Sequence, residues 1–256
     1  METNSIRDCV KHSTDTPTCL SLDLLGGFRL TVDSEMLEVS DAAQRLVAFL
    51  ALNRRPLPRA LIAGMLWPEK KEARAFANLR SCLWRLNGGS PCSAIVCCGS
   101  SLALNPLVNL DVVALERDGW ALLDEATVSE RVLRSDYFSQ ELLPGWYDDW
   151  VIVERERLGQ LQIRFLEALV HHLRATGEYA RAIDNAMRLV AVEPLREKSQ
   201  LALIQALVDE GSWGRAQRQA DQYHLLMEEA FGCEPSSAFV SQCSSLVSLV
   251  RNLAHG

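Results

Sequence analysis

The sequence has no long apolar run. Its hydrophobic stretches are short and broken by Arg or Asp, so none is long enough to span a bilayer as a helix. The opening stretch, METNSIRDCVKHSTDTPTC, carries acids and lacks the apolar core of a secretory signal. Residues 1–19 are expected to form a flexible tail, and a cytoplasmic location follows as the default. A metal-binding pattern is missing too. Of eight cysteines only Cys92, Cys97 and Cys98 cluster, the last two are adjacent, and no His-rich partner lies nearby. Reduced thiols serving as small hydrophobes fit better, and no metal or cofactor is expected. Nor is there a base–nucleophile arrangement. Asp148, Asp149, Glu154 and Glu156 read as a helix start and a solvated face, so no enzyme is expected.

What is present is an uneven charge. The chain of 256 residues carries a net −7, yet residues 1–110 hold 12 basic and 10 acidic side chains, a net +2. Residues 111–256 hold 14 and 23, a net −9. Between residues 45 and 85 nine basic side chains face only Glu69 and Glu72. A local excess of this size is either a solvated face or an electrostatic footprint for a phosphate backbone.

The C-terminal half repeats. GEYARAIDNAMRLV begins at Gly177 and GSWGRAQRQADQYHLL at Gly211, a period of 34 residues. Gly177 pairs with Gly211, Tyr179 with Trp213, Arg181 with Arg215 and Ala182 with Ala216. That is the period of tetratricopeptide helix pairs. The small Ala lets two helices approach, the aromatic is expected to fill the gap between pairs, and Gly takes a turn geometry other residues resist. Upstream, Leu158, Leu161, Phe165, Leu169 and Leu173 form one helical stripe. Leu195, Leu201, Ile204, Leu207 and Val208 form the next, and residues 238–253 read as a last, Ser-rich helix. His171 and His172 read as helix-surface residues. Such helices bury their faces only by stacking, which predicts an all-α solenoid with a concave surface for a partner.

The N-terminal half changes period twice. Leu20, Leu22 and Leu24 alternate as a strand, Phe28, Leu30 and Val32 as another, and VDSE makes a hairpin turn. A helix then follows with Ser40 as its cap and Ala43, Leu46, Val47 and Leu50 inward. A second is expected from Pro58 to Trp67, and a third from Glu72 to Leu86, ended by Asn87-Gly88-Gly89. IVCCGSSLALNP gives a β-hairpin. Strands, three helices and a hairpin, with a short WPEKKE loop between the last two helices, make a winged helix-turn-helix. On its last helix Ala75, Leu79, Cys82 or Leu83, and Leu86 face inward. Arg74, Ala77, Asn78, Ser81 and Arg85 share the opposite side, with Arg80 and Trp84 on the flank. Arg and Asn can read base edges bidentately. Arg54, Arg55, Arg59, Lys70 and Lys71 flank the helices and suit phosphate contacts.

LLGGFRLTVDSEMLEVS, ALIAGMLWPE, ANLRSCLWRL, SLALNPLVNLDVVALE, YFSQELLPGWYDDWVIVERERL and VEPLREKSQLALIQAL with FGCEPS together resemble the antibiotic regulatory protein family of actinobacteria, from Leu20 to Ser236. The resemblance implies a winged-helix DNA-binding domain fused to a bacterial transcriptional activation domain of tetratricopeptide-like helices. It implies binding to direct repeats in promoter DNA as a homodimer or higher assembly. It further implies recruitment of RNA polymerase to antibiotic biosynthesis genes, as an activator, and a place on the nucleoid. Arg80 and Arg85 match the family's basic positions on the recognition helix. Trp84 stands where the family has a small polar residue, Asn87 replaces a second Arg, and the wing lacks its own Arg or Lys. No GxxxxGK[ST] loop of the family's larger, ATPase-bearing members is present.

The expected architecture is therefore mainly α: residues 1–19 a tail, residues 20–108 a winged helix-turn-helix (α+β), and residues 109–256 an all-α tetratricopeptide-like repeat, NLDVVALERDGWALLDEA supplying its first helices. The competing expectation is a protein–protein adaptor whose winged helix has lost its hold on DNA.

Overall fold

The computed structural model describes residues 19–87, 93–124, 132 and 136–253. The tail before Cys19, the Gly88–Gly89 stop and Cys92 lie outside them. Contacts divide the chain into two compact units. The first runs to Arg117 and takes back Gln140–Leu158; the second comprises Asp118–Ser139 and everything from Gly159.

In the first unit, β1 (Leu20–Asp23), β2 (Arg29–Val32) and β3 (Glu35–Met36) form an antiparallel meander. The alternation decides its faces: Leu20, Leu22, Leu24 and Leu30 are buried. The VDSE turn closes as expected, with Asp33 and Ser34 both at positive φ, the geometry of a tight two-residue hairpin. Helix α1 (Asp41–Asn53) buries Ala43, Leu46, Val47 and Leu50. Ser40 occupies its N-cap, but the hydroxyl makes no capping bond; the Ser40 carbonyl accepts the Ala43 and Gln44 amides instead. Strand β4 (Leu57–Pro58) leads into α2 (Arg59–Leu66), and α3 (Glu72–Asn87) follows. The hairpin β5 (Ile95–Cys98) and β6 (Ser101–Leu104) joins β4 in a sheet of order β4-β6-β5.

Two closures of this unit come from far along the chain. Strand β7 (Val108–Leu110) pairs in parallel with β1, Leu20 beside Val108 and Leu22 beside Leu110. Asn109, the expected start of the helical region, thus sits in this sheet. Helix α4 (Asp111–Leu123) begins directly after it, and Asp111 Oδ2 accepts the amides of Leu24 (2.8 Å) and Leu25 (2.7 Å). Burial pushes that carboxyl up to about 6, although the three backbone amides it accepts pull the other way.

The second closure is the arm 140–158. The Gly26 amide donates to the Glu141 carbonyl and the Leu143 amide to the Leu24 carbonyl, both at 2.8 Å. Leu143 is buried with φ 44°, a left-handed conformation that a branched side chain rarely adopts. Arg155 holds it there. Its guanidinium donates to the carbonyls of Leu142 (2.9 Å), Leu143 (2.6 Å) and Trp146 (2.9 Å) and pairs with Glu141 at 3.0 Å. Trp146 stacks on Phe28 and Trp150 meets Phe49 edge-on.

The acids expected on a solvated face divide accordingly. Asp149 and Glu156 are exposed. Asp148 instead pairs with Arg45, and Glu154 with Arg157, which also reaches Glu116. Both carboxylates are largely covered because the arm lays them against basic side chains of the same unit. Glu116 accepts Arg54 as well. Burial alone would raise Glu116, but its two guanidinium partners outweigh it and hold the carboxyl below its ordinary range.

The second unit is helical, as the periodicity predicts. It contains the end of α5 (Asp149–Ala175), then α6 (Tyr179–Val192), α7 (Glu197–Asp209), α8 (Trp213–Phe231) and α9 (Ser237–Leu253). Gly177 and Gly211 are at φ 79° and 86°. At each, the following amide reaches the carbonyl five residues back, Glu178 to Leu173 and Ser212 to Leu207. The glycine amide donates three residues back, to Arg174 and Val208 respectively. These are two copies of one Schellman stop. Ala182 and Ala216 are buried as required, but Trp213 is 42% exposed, so the second aromatic does not fill a gap as expected.

Helix α7 packs against α6, α8 and α9, so it buries more than one stripe. Leu203, Ser199 and Gln200 are buried besides Ile204 and Leu207, whereas Leu195 is exposed and Leu201 half-buried. Gln200 satisfies its amide on the Pro194 carbonyl and on Gln219. Tyr223, fully buried against Phe239, donates to the Leu195 carbonyl at 3.0 Å. Phe165 lies so close to α4 that a Cβ on Gly119 would meet its ring at 2.3 Å. Of the cysteines described, only Cys82 is fully buried; Cys19, Cys97 and Cys233 are exposed, so the small-hydrophobe reading holds for one of them.

Candidate nucleic-acid interface

Helices α2 and α3 meet across a five-residue loop, Trp67–Lys71. The Trp67 side chain is buried, its amide ends α2 on Ala63, and its carbonyl accepts Lys70 at 3.1 Å. The Lys71 carbonyl accepts Arg74 and Ala75, which starts α3. Ala75, Leu79, Cys82 and Leu86 are buried, as their spacing predicts, and fix which face of α3 points out. Burial raises the Cys82 thiol above its ordinary range, as suits an apolar packing role.

The outward face carries the sequence-predicted set with unequal weight. Arg74, Arg80 and Arg85 are exposed, and none forms an ion pair among the described residues. Ser81 is exposed, but its hydroxyl donates back to the Ala77 carbonyl at 3.0 Å. Asn78 is half-buried, at the edge of the face. Trp84, expected on the flank, is 77% exposed. At 100° per residue it lies about opposite the buried row, so it occupies the centre of the outer face.

The flanking basic residues also differ among themselves. Arg55 and Lys71 are exposed and unpaired among the described residues. Arg54 is engaged by Glu116, and Lys70 lies 3.7 Å from Glu69. Arg59 is half-buried, with Nη2 3.4 Å from Cys97 Sγ. The hairpin β5–β6 turns at Gly99, φ 61°, and the Ser100 carbonyl accepts the Arg59 amide, fixing the hairpin tip at the start of α2. This wing carries no Arg or Lys between Ile95 and Leu104.

The structure places Arg74, Ser81 and Arg85 on exposed positions of α3, as the spacing predicts, but puts Asn78 at the edge of that face and Trp84 at its centre rather than on the flank. Sequence reasoning missed Arg155, Glu116 and Asp111, which hold the unit around them. Among the described residues no group of three or more His, Cys, Asp or Glu is placed to hold a metal ion, and no helix is long and apolar enough to cross a membrane.

Residues 135–245 match the bacterial transcriptional activator domain. That match begins before the arm 140–158, so it includes chain that belongs to the first compact unit. The chain is 26% identical over 230 residues to Regulatory protein AfsR of Streptomyces coelicolor, covering 84% of this chain and 23% of the relative. It thus spans about a quarter of that relative. It also superposes on Mycobacterium tuberculosis EmbR, solved in complex with a low-affinity phosphopeptide, with a TM-score of 0.71 at 18% identity. That superposition covers 91% of this chain and 66% of EmbR. At this identity the likeness establishes the fold: a winged-helix unit followed by an all-α helical repeat.

Proposed function

We propose that the chain, which matches the bacterial transcriptional activator domain over residues 135–245 and is similar to Regulatory protein AfsR, is a sequence-specific DNA-binding activator of transcription. One observation carries the reading. Helix α3, second of a helix-turn-helix pair, presents Arg74, Arg80 and Arg85 outward without ion partners among the described residues. A guanidinium left free on a groove-sized helix suits base edges; one already paired suits stability.

The roles then sort by environment. Arg80, Arg85, Arg74 and Asn78 face base edges or nearby phosphates. Arg55, Lys71 and Lys70 contact the phosphate backbone, with Arg59 at the hairpin and Ser81 in reserve because its hydroxyl is engaged. Arg54 contributes through position, since Glu116 already neutralises it. A wing without cations leaves phosphate neutralisation to the helices. The acidic helical repeat offers its surface to protein, either a second copy on an adjacent half-site or RNA polymerase, at promoters of secondary-metabolite genes. Direct repeats spaced near one helical turn are the arrangement two such copies require.

Selection of random duplex DNA on the purified chain, sequenced at physiological salt, tests this. An enriched direct repeat is the expected result. A well-folded protein that enriches nothing leaves the adaptor reading in its place.

A further inference from the structure

Trp84 is the most exposed of the six tryptophans, at 77%. An indole carries one of the largest apolar surfaces of any side chain, about 150–250 Å², and its exposure is costly unless something covers it. Its neighbours restrict what that is. On the wheel of α3, Ala73 and Ala77 lie within about 20° of Trp84, Arg80 about 40° to one side, and Ser81 and Arg74 about 60–80° to the other. The centre of the face is thus small or apolar, and its borders are cationic. The only acid on α3 is Glu72, in its first turn. An apolar protein surface would gain little from the guanidinium groups of Arg74 and Arg80, unpaired among the described residues, beside it. A polyanion with an apolar feature at its centre matches all of them.

The major groove of DNA is such a surface. Its walls are phosphate, its width admits one helix, and its floor carries the C5-methyl of each thymine. Alanines at 73 and 77 let the backbone of α3 come close to that floor. The indole one turn beyond Arg80 then lies over the bases next to those Arg80 reads. We propose that Trp84 is a specificity-determining residue that packs its indole on thymine C5-methyl groups in the major groove. This rests on the DNA-reading role proposed above and adds a base preference that charge does not supply.

The test changes the DNA first. Duplexes enriched from a random pool by the full chain have their thymines replaced one at a time by deoxyuridine, which removes only the methyl. Binding is measured for the wild type and for Trp84→Ala, with a melting curve for each protein. The expected result is one or two positions where deoxyuridine weakens wild-type binding, about three- to fivefold for each buried methyl. Trp84→Ala then binds the thymine and deoxyuridine duplexes alike and melts as the wild type does. Wild-type binding indifferent to every replacement overturns the proposal, and needs no folded variant to do so. Methyl sensitivity that survives in Trp84→Ala also overturns it, as does a variant that weakens every duplex equally. A pool that yields no motif at all sinks the DNA-reading role beneath it, so the two failures are distinct.

Discussion

The two units of this chain are built by opposite means. The helical unit says the same thing twice, 34 residues apart: Gly177 and Gly211 end their helices with the same pair of backbone hydrogen bonds, and Ala182 and Ala216 are buried alike. The first unit repeats nothing. Strand β1 is completed by β7 nearly ninety residues later, and its end is closed by an arm from residues 140–158. Repetition makes a unit stable through neighbouring contacts. Long-range closure makes one whose parts depend on single side chains, and Arg155 is such a side chain.

The largest expected effect follows from that contrast. Arg155→Ala removes donors from three buried-side carbonyls and frees Leu143 from its left-handed conformation. It should cost about 2–4 kcal/mol in chemical denaturation. Hydrogen exchange should accelerate in β1 and the arm and stay unchanged in α6–α8. Acceleration spread evenly over both units would show that they do not divide as described. Next, Gly119→Ala places a methyl into the Phe165 ring and should cost about 1–3 kcal/mol, its loss of protection falling on α5.

Asp111 gives a pH signature of similar size. Its native pKa of about 6 lies above the ordinary aspartate value of 3.8, so the native state holds the proton more tightly than the unfolded chain. The resulting stabilisation is complete below about pH 4 and is lost as pH rises through 6, on the order of 3 kcal/mol. Asp111→Asn should flatten that part of the stability–pH curve while keeping an oxygen for the Leu24 and Leu25 amides. An unchanged slope would assign the titration elsewhere. The smallest effects sharpen the repeat. Gly177→Ala and Gly211→Ala should each cost about 1 kcal/mol, the strain of a Cβ at positive φ. Unequal melting shifts would mean that the two turns are not equivalent.

The legibility of the sequence follows the same division. A stop at Gly211, a stripe through Leu158, Phe165 and Leu173, and the buried row Ala75, Leu79, Cys82 and Leu86 are local periods, and local periods survive without tertiary knowledge. Parallel pairing of β1 with β7 has no local signal. Arg155 reads as one more charge in VERERL, because a guanidinium that binds three carbonyls has no sequence partner to betray it. Asp148 and Glu154 looked solvated for the same reason: Arg45 and Arg157 meet them only in the fold. Trp84 stands out in the sequence as a departure from the family it resembles, but its place at the centre of the outer face of α3 comes from burial. The arginines of α3 are legible as residues; their lack of ion partners among the described residues is not.

The most direct measurement compares the intact chain with the double variant Arg80→Glu/Arg85→Glu, on a duplex enriched from a random pool, across a salt titration. The account predicts wild-type affinity falling steeply with salt and a loss of at least about a hundredfold in the variant, with an unchanged melting curve. Equal binding by both proteins, or a salt-insensitive complex, would contradict it and turn attention from α3 to the acidic helical unit.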